Sequence, residues 1–356
     1  MSLFGRKRIL ITGGTGSLGK ILVRRLLSGD EGRPEKIIIF SRDEAKQHDM
    51  RLEYQHKKVA TDEVIYNNFH QLVEFRIGDV RDYESICSAM KDVDMVINAA
   101  ALKQVPSCEY FPFEAVKTNI IGSENIVRVL REHNYPIETV VGISTDKACQ
   151  AVSLMGMTKA VQERIFISAN ILVPNTRFIC IRYGNVLASR GSIIPLLHQQ
   201  ILDGGPVTIT AEEMTRFLLP LEQAVDVIFE AIRNANRGEI YIPKIKSSLI
   251  MNIAKALIGK RKVDIKVTGI RPGEKMHEVL ISQEEAWYTV EREGYYVVKS
   301  FLPELTEISK EPFVSKGNEY SSGDSPMDFE ETLDVLKKNK LMIEDNHSLF
   351  EEELLR

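Results

Sequence analysis

The run Thr12-Gly-Gly-Thr-Gly-Ser-Leu-Gly19 narrows the folds open to this chain more than any other segment. It joins the apolar stretch Arg8-Ile-Leu-Ile-Thr12 to an amphipathic one from Leu18 to Leu27. A buried strand that runs through glycines straight into a helix begins a doubly wound α/β sheet. The glycines let backbone N–H groups at the helix N-terminus approach a pyrophosphate, which a Cβ would obstruct. Gly13, Gly16 and Gly19 supply that clearance, with Thr15, Ser17 and Leu18 between them.

The rest of the first half fits the same plan. Lys36–Phe40, Val73–Ile77, Met95–Asn98, Thr139–Ile143 and Arg177–Ile181 read as further buried strands. Helical patterns lie between them at Tyr83–Met90, Glu114–His133 and Thr158–Ile171. Strand–helix alternation of this kind predicts a Rossmann-type parallel sheet over residues 1–188. From 189 to 300 the pattern loosens into shorter elements around Gly-Gly-Pro and Arg-Pro-Gly turns, predicting a smaller C-terminal substrate-binding lobe interleaved with the last strands. Residues 301–356 read as an extension with a helix at Asp328–Lys338 and an acidic, mobile tail.

Composition removes several function classes. A net charge of −4 leaves no electrostatic footprint for nucleic acid. No apolar run approaches the roughly 18 residues that span a bilayer, and Met-Ser-Leu-Phe-Gly-Arg-Lys-Arg has no signal-peptide core, so a soluble cytoplasmic protein is expected. Cys87, Cys108, Cys149 and Cys180 show no metal-binding spacing and read as reduced thiols, so no metal is expected.

The second strand ends in Phe40-Ser41-Arg42-Asp43, where a cofactor with a free ribose 2′-hydroxyl calls for an acidic residue alone. A hydroxyl and a guanidinium suit a 2′-phosphate, which predicts NADP over NAD, with Ser41 and Arg42 holding it. Asp79 and Val80, after the third strand, are placed to meet the adenine; Ala99 and Ala100, after the fourth, line the nicotinamide side. Lys103 follows in that loop and reaches either the cofactor or a substrate.

In order along the chain come Phe40-Ser-Arg-Asp-Glu, Ala99-Ala-Ala-Leu-Lys-Gln-Val-Pro106, Ser144-Thr-Asp-Lys-Ala148 and Met155-Gly-Met-Thr-Lys159. Arg182-Tyr-Gly-Asn-Val-Leu-Ala-Ser-Arg-Gly-Ser192, Met214-Thr-Arg-Phe217 and Gly269-Ile-Arg-Pro-Gly-Glu-Lys275 complete the series. Over roughly residues 5 to 290 it resembles the UDP-N-acetylglucosamine 4,6-dehydratases of the polysaccharide-biosynthesis (CapD-like) family, extended short-chain dehydrogenases whose glycines are spaced G-x-x-G-x-x-G. The resemblance implies oxidation at C4 of the sugar, elimination of water across C5–C6 and return of the hydride to C6, with or without inversion at C5. It also implies UDP-N-acetylglucosamine as substrate, with a GDP sugar as the alternative, and a homo-oligomer, either dimer or hexamer.

Relatives usually carry Tyr-x-x-x-Lys, and here Met155 takes the Tyr position ahead of Lys159. Methionine cannot move a proton, so the chemistry falls to Asp146 and Lys147. Asp146 is the expected acid if burial raises its pKa, and Lys147 the expected C5 base if its pKa is lowered toward neutral. Thr145 is placed to polarise the C4 oxygen, and Lys159 keeps the nicotinamide ribose. Asn185, Arg190, Arg216, Arg271 and Glu274 resemble the family's nucleotide-sugar clamp, and His277 reads as structural. Around Cys149-Gln-Ala-Val-Ser153 the family's Asn-Pro-x-Asn is lost, which alters the active-site loop. A nucleotide-sugar 4-epimerase is disfavoured because it needs the missing Tyr; a non-catalytic NADPH-binding regulator has no use for Asp146-Lys147.

Overall fold

The structure, a computed structural model, describes residues 2–55, 63–187, 192–305 and 317–345. Six parallel strands form its centre: β1 (Arg8–Thr12), β2 (Lys36–Ser41), β3 (Val73–Ile77), β4 (Met95–Asn98), β5 (Thr139–Ile143) and β6 (Arg177–Ile181). They lie in the order β3-β2-β1-β4-β5-β6, so the winding reverses between β1 and β4. That reversal opens a crevice beyond the carboxyl ends of the strands, where doubly wound sheets bind ligands. Ile240–Pro243 adds a parallel strand beside β6, and the hairpin Thr289–Arg292 with Tyr295–Val298 closes that edge antiparallel.

Side chains that alternate along each strand feed two cores. Ile9, Ile11, Ile37, Ile39, Ile97 and Val141 face α1 (Ser17–Ser28) and the helix Leu221–Asn234. Leu10, Ile38, Val96 and Val140 face the opposite layer, with Ile86, Ile126 and Phe166 from three other helices. These strand residues are fully buried on both faces, which is why they read as continuous apolar runs.

A second lobe has its own core of Leu197, Ile253, Leu257, Met327 and Leu336. Its sheet is built from Asn185–Val186, Thr215–Leu219, Ser247–Leu249 and Pro326–Met327. Residues 317–345, expected as an extension, therefore contribute a strand and the helix Phe329–Lys338 to this lobe. The expected tail beyond 345 lies outside the described residues.

Two further differences have local causes. Helices Glu44–Gln55 and Glu63–Leu72, absent from the sequence reading, fill the β2–β3 connection. Among the described apolar side chains of the first, only Met50 and Tyr54 are fully buried, a stripe too thin to stand out from its polar surroundings. The single helix expected over Glu114–His133 is three abutting pieces, Pro112–Ala115, a π-helical turn Val116–Ile121, and Gly122–Glu132.

Candidate active site

The glycine turn forms a cradle. Gly13 holds φ = 66°, and a Cβ there would lie 2.8 Å from the Ala100 backbone nitrogen. No side chain caps α1 at Gly16, and a Cβ on Gly16 would meet only the Gly13 carbonyl at 3.3 Å. The helix N-terminus is thus left to a ligand, and the residues present fit the pyrophosphate of a dinucleotide. The Thr15 hydroxyl lies 3.1 Å from that of Ser41, joining the turn to the end of β2.

Arg42 is exposed and reaches toward Asp79, with 3.8 Å between guanidinium and carboxylate. Asp79 is engaged mainly by Arg81, which donates from its backbone at 3.0 Å and its side chain at 2.6 Å. Burial opposes ionisation of Asp79, but Arg81 and Arg42 outweigh it and hold the carboxyl below its ordinary range.

Beyond β5 the chain turns through Asp146–Ala148, capped by Thr145. The Thr145 hydroxyl donates to Asp146 Oδ1 at 2.8 Å, and Lys147 Nζ donates to the same oxygen at 3.1 Å. Lys147 also lies 3.1 Å from Glu278 Oε1 and donates to Asn185 Oδ1 at 3.4 Å. The side chains of Asp146 and Glu278 are 0% and 2% exposed, whereas that of Lys147 is 25% exposed. The Lys147 side chain is thus the part-exposed member of the cluster. Asp146 Oδ2 and Glu278 Oε2 are buried without a hydrogen-bond partner.

Burial raises the Asp146 pKa above the ordinary carboxylate range, against the pull of Lys147. The expected lowering of Lys147 is not found. Burial does oppose its charge, but Asp146 and Glu278 outweigh it and raise the pKa. Glu278, unforeseen from sequence, adds its charge to that of Asp146. Burial would raise Glu278 itself, yet Lys147 and Arg216 hold it low.

Met155 and Lys159 share the helix Leu154–Leu172. Met155 packs with Cys108 and Ala115 in a small apolar cluster. Lys159 is buried and donates to the Ile143 carbonyl and to Gln162 Oε1. Desolvation lowers its pKa to about 8. Asn119, in the π-helical turn, accepts from the Leu102 backbone at 2.8 Å and donates to Leu102 O at 3.0 Å. It also donates to Thr158 at 2.9 Å, so one amide ties the Ala99–Lys103 loop to the Met155–Lys159 helix.

Beneath this segment Arg182 is buried between Glu163 and Glu285, with contacts of 2.7 Å to each. Ser144 donates to Glu163 and the Cys149 thiol to Glu285 at 3.4 Å, so both ends of the Ser144–Cys149 segment rest on this cluster.

The family profile described as "Polysaccharide biosynthesis protein" matches residues 9–300. A Campylobacter jejuni protein (strain 81-176) named UDP-N-acetylglucosamine 4,6-dehydratase (inverting) is 40% identical over 348 residues, covering 94% of this chain and 98% of its own. The chain belongs to the polysaccharide-biosynthesis family. Within the family, a Rickettsia bellii protein named UDP-glucose 4-epimerase is 44% identical over 299 residues, 83% of each chain. Among solved structures, Pen from Bacillus thuringiensis aligns with a TM-score of 0.84 and 31% identity, covering 95% of this chain and 99% of that one.

In this family member the residues of the expected clamp are placed unevenly. Asn185 touches Lys147 directly, and Arg216 stands 3.8 Å from Glu278 while donating to the Thr215 carbonyl at 2.7 Å. Glu274 accepts from the Arg271 backbone at 3.3 Å, so those two stiffen their own loop, and Arg271 is exposed. The adjoining Lys275 donates to the Cys149 carbonyl at 2.6 Å and fastens that loop to the Ser144–Cys149 segment. Lys103 is exposed on its loop, and Arg190 lies outside the described residues. His277 shares a 2.8 Å hydrogen bond with Thr215, in keeping with a structural role. Glu278, Asn119 and Arg182 are the residues that sequence reasoning missed as parts of the site. Arg182 opens the Arg182–Ser192 motif, whereas Glu278 directly follows His277 and carries no motif of its own. No helix among the described residues is long and apolar enough to cross a membrane. Nor do the described residues hold a group of three His, Cys, Asp or Glu arranged for a metal.

Proposed function

We propose that the protein is an NADP-dependent nucleotide-sugar 4,6-dehydratase acting on UDP-N-acetylglucosamine for the synthesis of surface polysaccharide sugars. The observation that carries this reading is the buried Asp146 beside the half-open Lys147, in a site where Met155 stands at the customary Tyr position. An acid and an amine in contact are what elimination across C5–C6 requires. The names of relatives similar over nearly the whole chain support the same substrate. The 4-epimerase reading draws on the Rickettsia names but lacks a phenol at position 155.

Gly13, Gly16 and the N-terminus of α1 would hold the dinucleotide pyrophosphate, Ser41 and Arg42 the 2′-phosphate, and Lys159 the nicotinamide ribose. When bound, the nicotinamide supplies the chemistry of accepting and returning a hydride. The protein's residues move the protons. Asp146, with its raised pKa, is a strong enough acceptor for the C4 hydroxyl proton and can then carry it to the departing C6 hydroxyl. Thr145 is fixed against Asp146 and orients the C4 oxygen. Lys147 takes the proton at C5, acidified by the neighbouring ketone. Each such transfer contributes about 10²- to 10⁴-fold to the rate. Arg216 and Arg271 offer guanidinium groups to the sugar diphosphate.

Incubation of the purified protein with UDP-N-acetylglucosamine in D₂O, followed by NMR, tests the reading. A 4-keto-6-deoxy sugar carrying deuterium at C5 is expected, and the H4–H5 pattern gives its configuration. A C4 epimer that keeps its C6 hydroxyl would replace the proposal with the epimerase. Unchanged substrate, with folded and cofactor-loaded protein, would defeat both.

A further inference from the structure

Lys147 must be a free amine when it meets C5, yet it sits 3.1 Å from each of two carboxylates. Asp146 cannot relieve it, because on the reading above Asp146 already carries the C4 hydroxyl proton when elimination begins. The remaining carboxylate in contact with the amine is Glu278. It is delivered from far along the chain, immediately before the strand Val279–Ile281, and its backbone N–H is fixed by Ser322 at 2.8 Å. One carboxylate oxygen faces Lys147, and the other is buried without a partner.

We propose that Glu278 receives the proton that Lys147 must lose before elimination, so that Lys147 approaches C5 as a neutral base. This rests on the dehydratase reading and on Lys147 as the C5 base. The step breaks one N–H bond of Lys147 and forms one O–H bond on Glu278, with no change of oxidation state. Lys147 then takes the C5 proton, and the electron pair of that bond passes into the C4 carbonyl as an enolate. Collapse of the enolate expels the C6 hydroxyl, which leaves as water with the proton from Asp146. Once Lys147 has given its proton back to C5, Glu278 returns the borrowed one and the pair is reset.

The arrangement also times the transfer. Two negative charges favour the ammonium form at rest. Protonation of Asp146 during C4 oxidation removes one of them, so the amine holds its extra proton less tightly when a free base is needed. Asn185 Oδ1 faces Lys147 at 3.4 Å, and Arg216 stands 3.8 Å from Glu278 Oε1. The positive charges of Arg216 and Lys275 also act on Glu278 and keep it ionised at rest.

The test compares wild type with Glu278→Gln in D₂O with UDP-N-acetylglucosamine. It follows cofactor reduction in a single turnover, deuterium entry at C5, and product. The variant is expected to keep its circular dichroism and its C4 oxidation, while C5 exchange and product formation fall by about 100-fold. Residual exchange should recover at high pH, where bulk hydroxide can strip Lys147. Glu278→Asp, which keeps the charge but withdraws it, should show the same split at about 10-fold, and serves if the Gln variant does not fold. Unchanged C5 exchange would overturn the proposal. So would exchange enhanced at low pH, the sign of a carboxylate that only fixes the ammonium, or equal loss of both half-reactions. Wild type that performs neither oxidation nor exchange would overturn the dehydratase reading and the role of Glu278 with it.

Discussion

Two clusters in this molecule have the same formal make-up, one cation between two buried carboxylates, and they sit on either side of the same short segment. In the first, Arg182 donates to Glu163 at 3.0 and 2.7 Å, to Glu285 at 2.7 and 2.9 Å, and to the Leu280 carbonyl at 2.9 Å. Its charge is spread over a planar fork that matches both partners. Arg182 holds the Glu285 pKa down to about 2 against the effect of burial. In the second, Lys147 offers a point charge to Asp146 and Glu278, and each carboxylate keeps one buried oxygen without a partner. Saturation makes the first a foundation. The open valences of the second cost stability and leave groups ready to exchange protons.

The largest expected effect breaks the reactive cluster. Asp146→Asn preserves shape but removes the proton acceptor, so C4 oxidation should drop by about 10⁴-fold or more in a single-turnover absorbance assay. Normal cofactor reduction in that variant would refute the dual role of Asp146. Next, Arg182→Met strands two buried carboxylates and should destabilise the fold by about 3–5 kcal/mol, read by urea denaturation. A variant as stable as wild type would show that the two clusters are not different in kind. The smallest effect lies away from both. Arg42→Ala should weaken NADP binding by about 1.5–3 kcal/mol while leaving NAD nearly unchanged, measured by calorimetry. Equal losses for both cofactors would remove the basis for NADP preference.

That contrast also explains what the sequence shows and what it hides. β1 to β6 are buried on both faces, so their apolar runs are continuous and their positions are plain. The glycine turn is equally legible, because backbone clearance demands a residue type. Asp146 and Lys147 are visible as neighbours in the chain. Glu278 is not, because it lies 3.1 Å from Lys147 but more than a hundred residues away along the chain. The raised pKa of Lys147 is hidden in part for the same reason, since to the charge of its neighbour Asp146 it adds that of Glu278, which only folding brings near. Asn119 is equally hidden, because an amide inside a helical pattern looks like any polar residue until the π-helical turn aims it at Leu102. Contacts made within a segment can be read from its pattern, whereas contacts made between segments await the fold.

The Cys149 thiol, two residues past Lys147, points into the saturated cluster and donates to Glu285. Burial, with the nearby carboxylates, pushes its pKa far up, so the nucleophilic thiolate is scarce at any physiological pH. Alkylating reagents and peroxide therefore find little to attack beside the reacting groups. A thiol held protonated and buried in this way serves the segment as packing and as a hydrogen-bond donor, and not as a nucleophile.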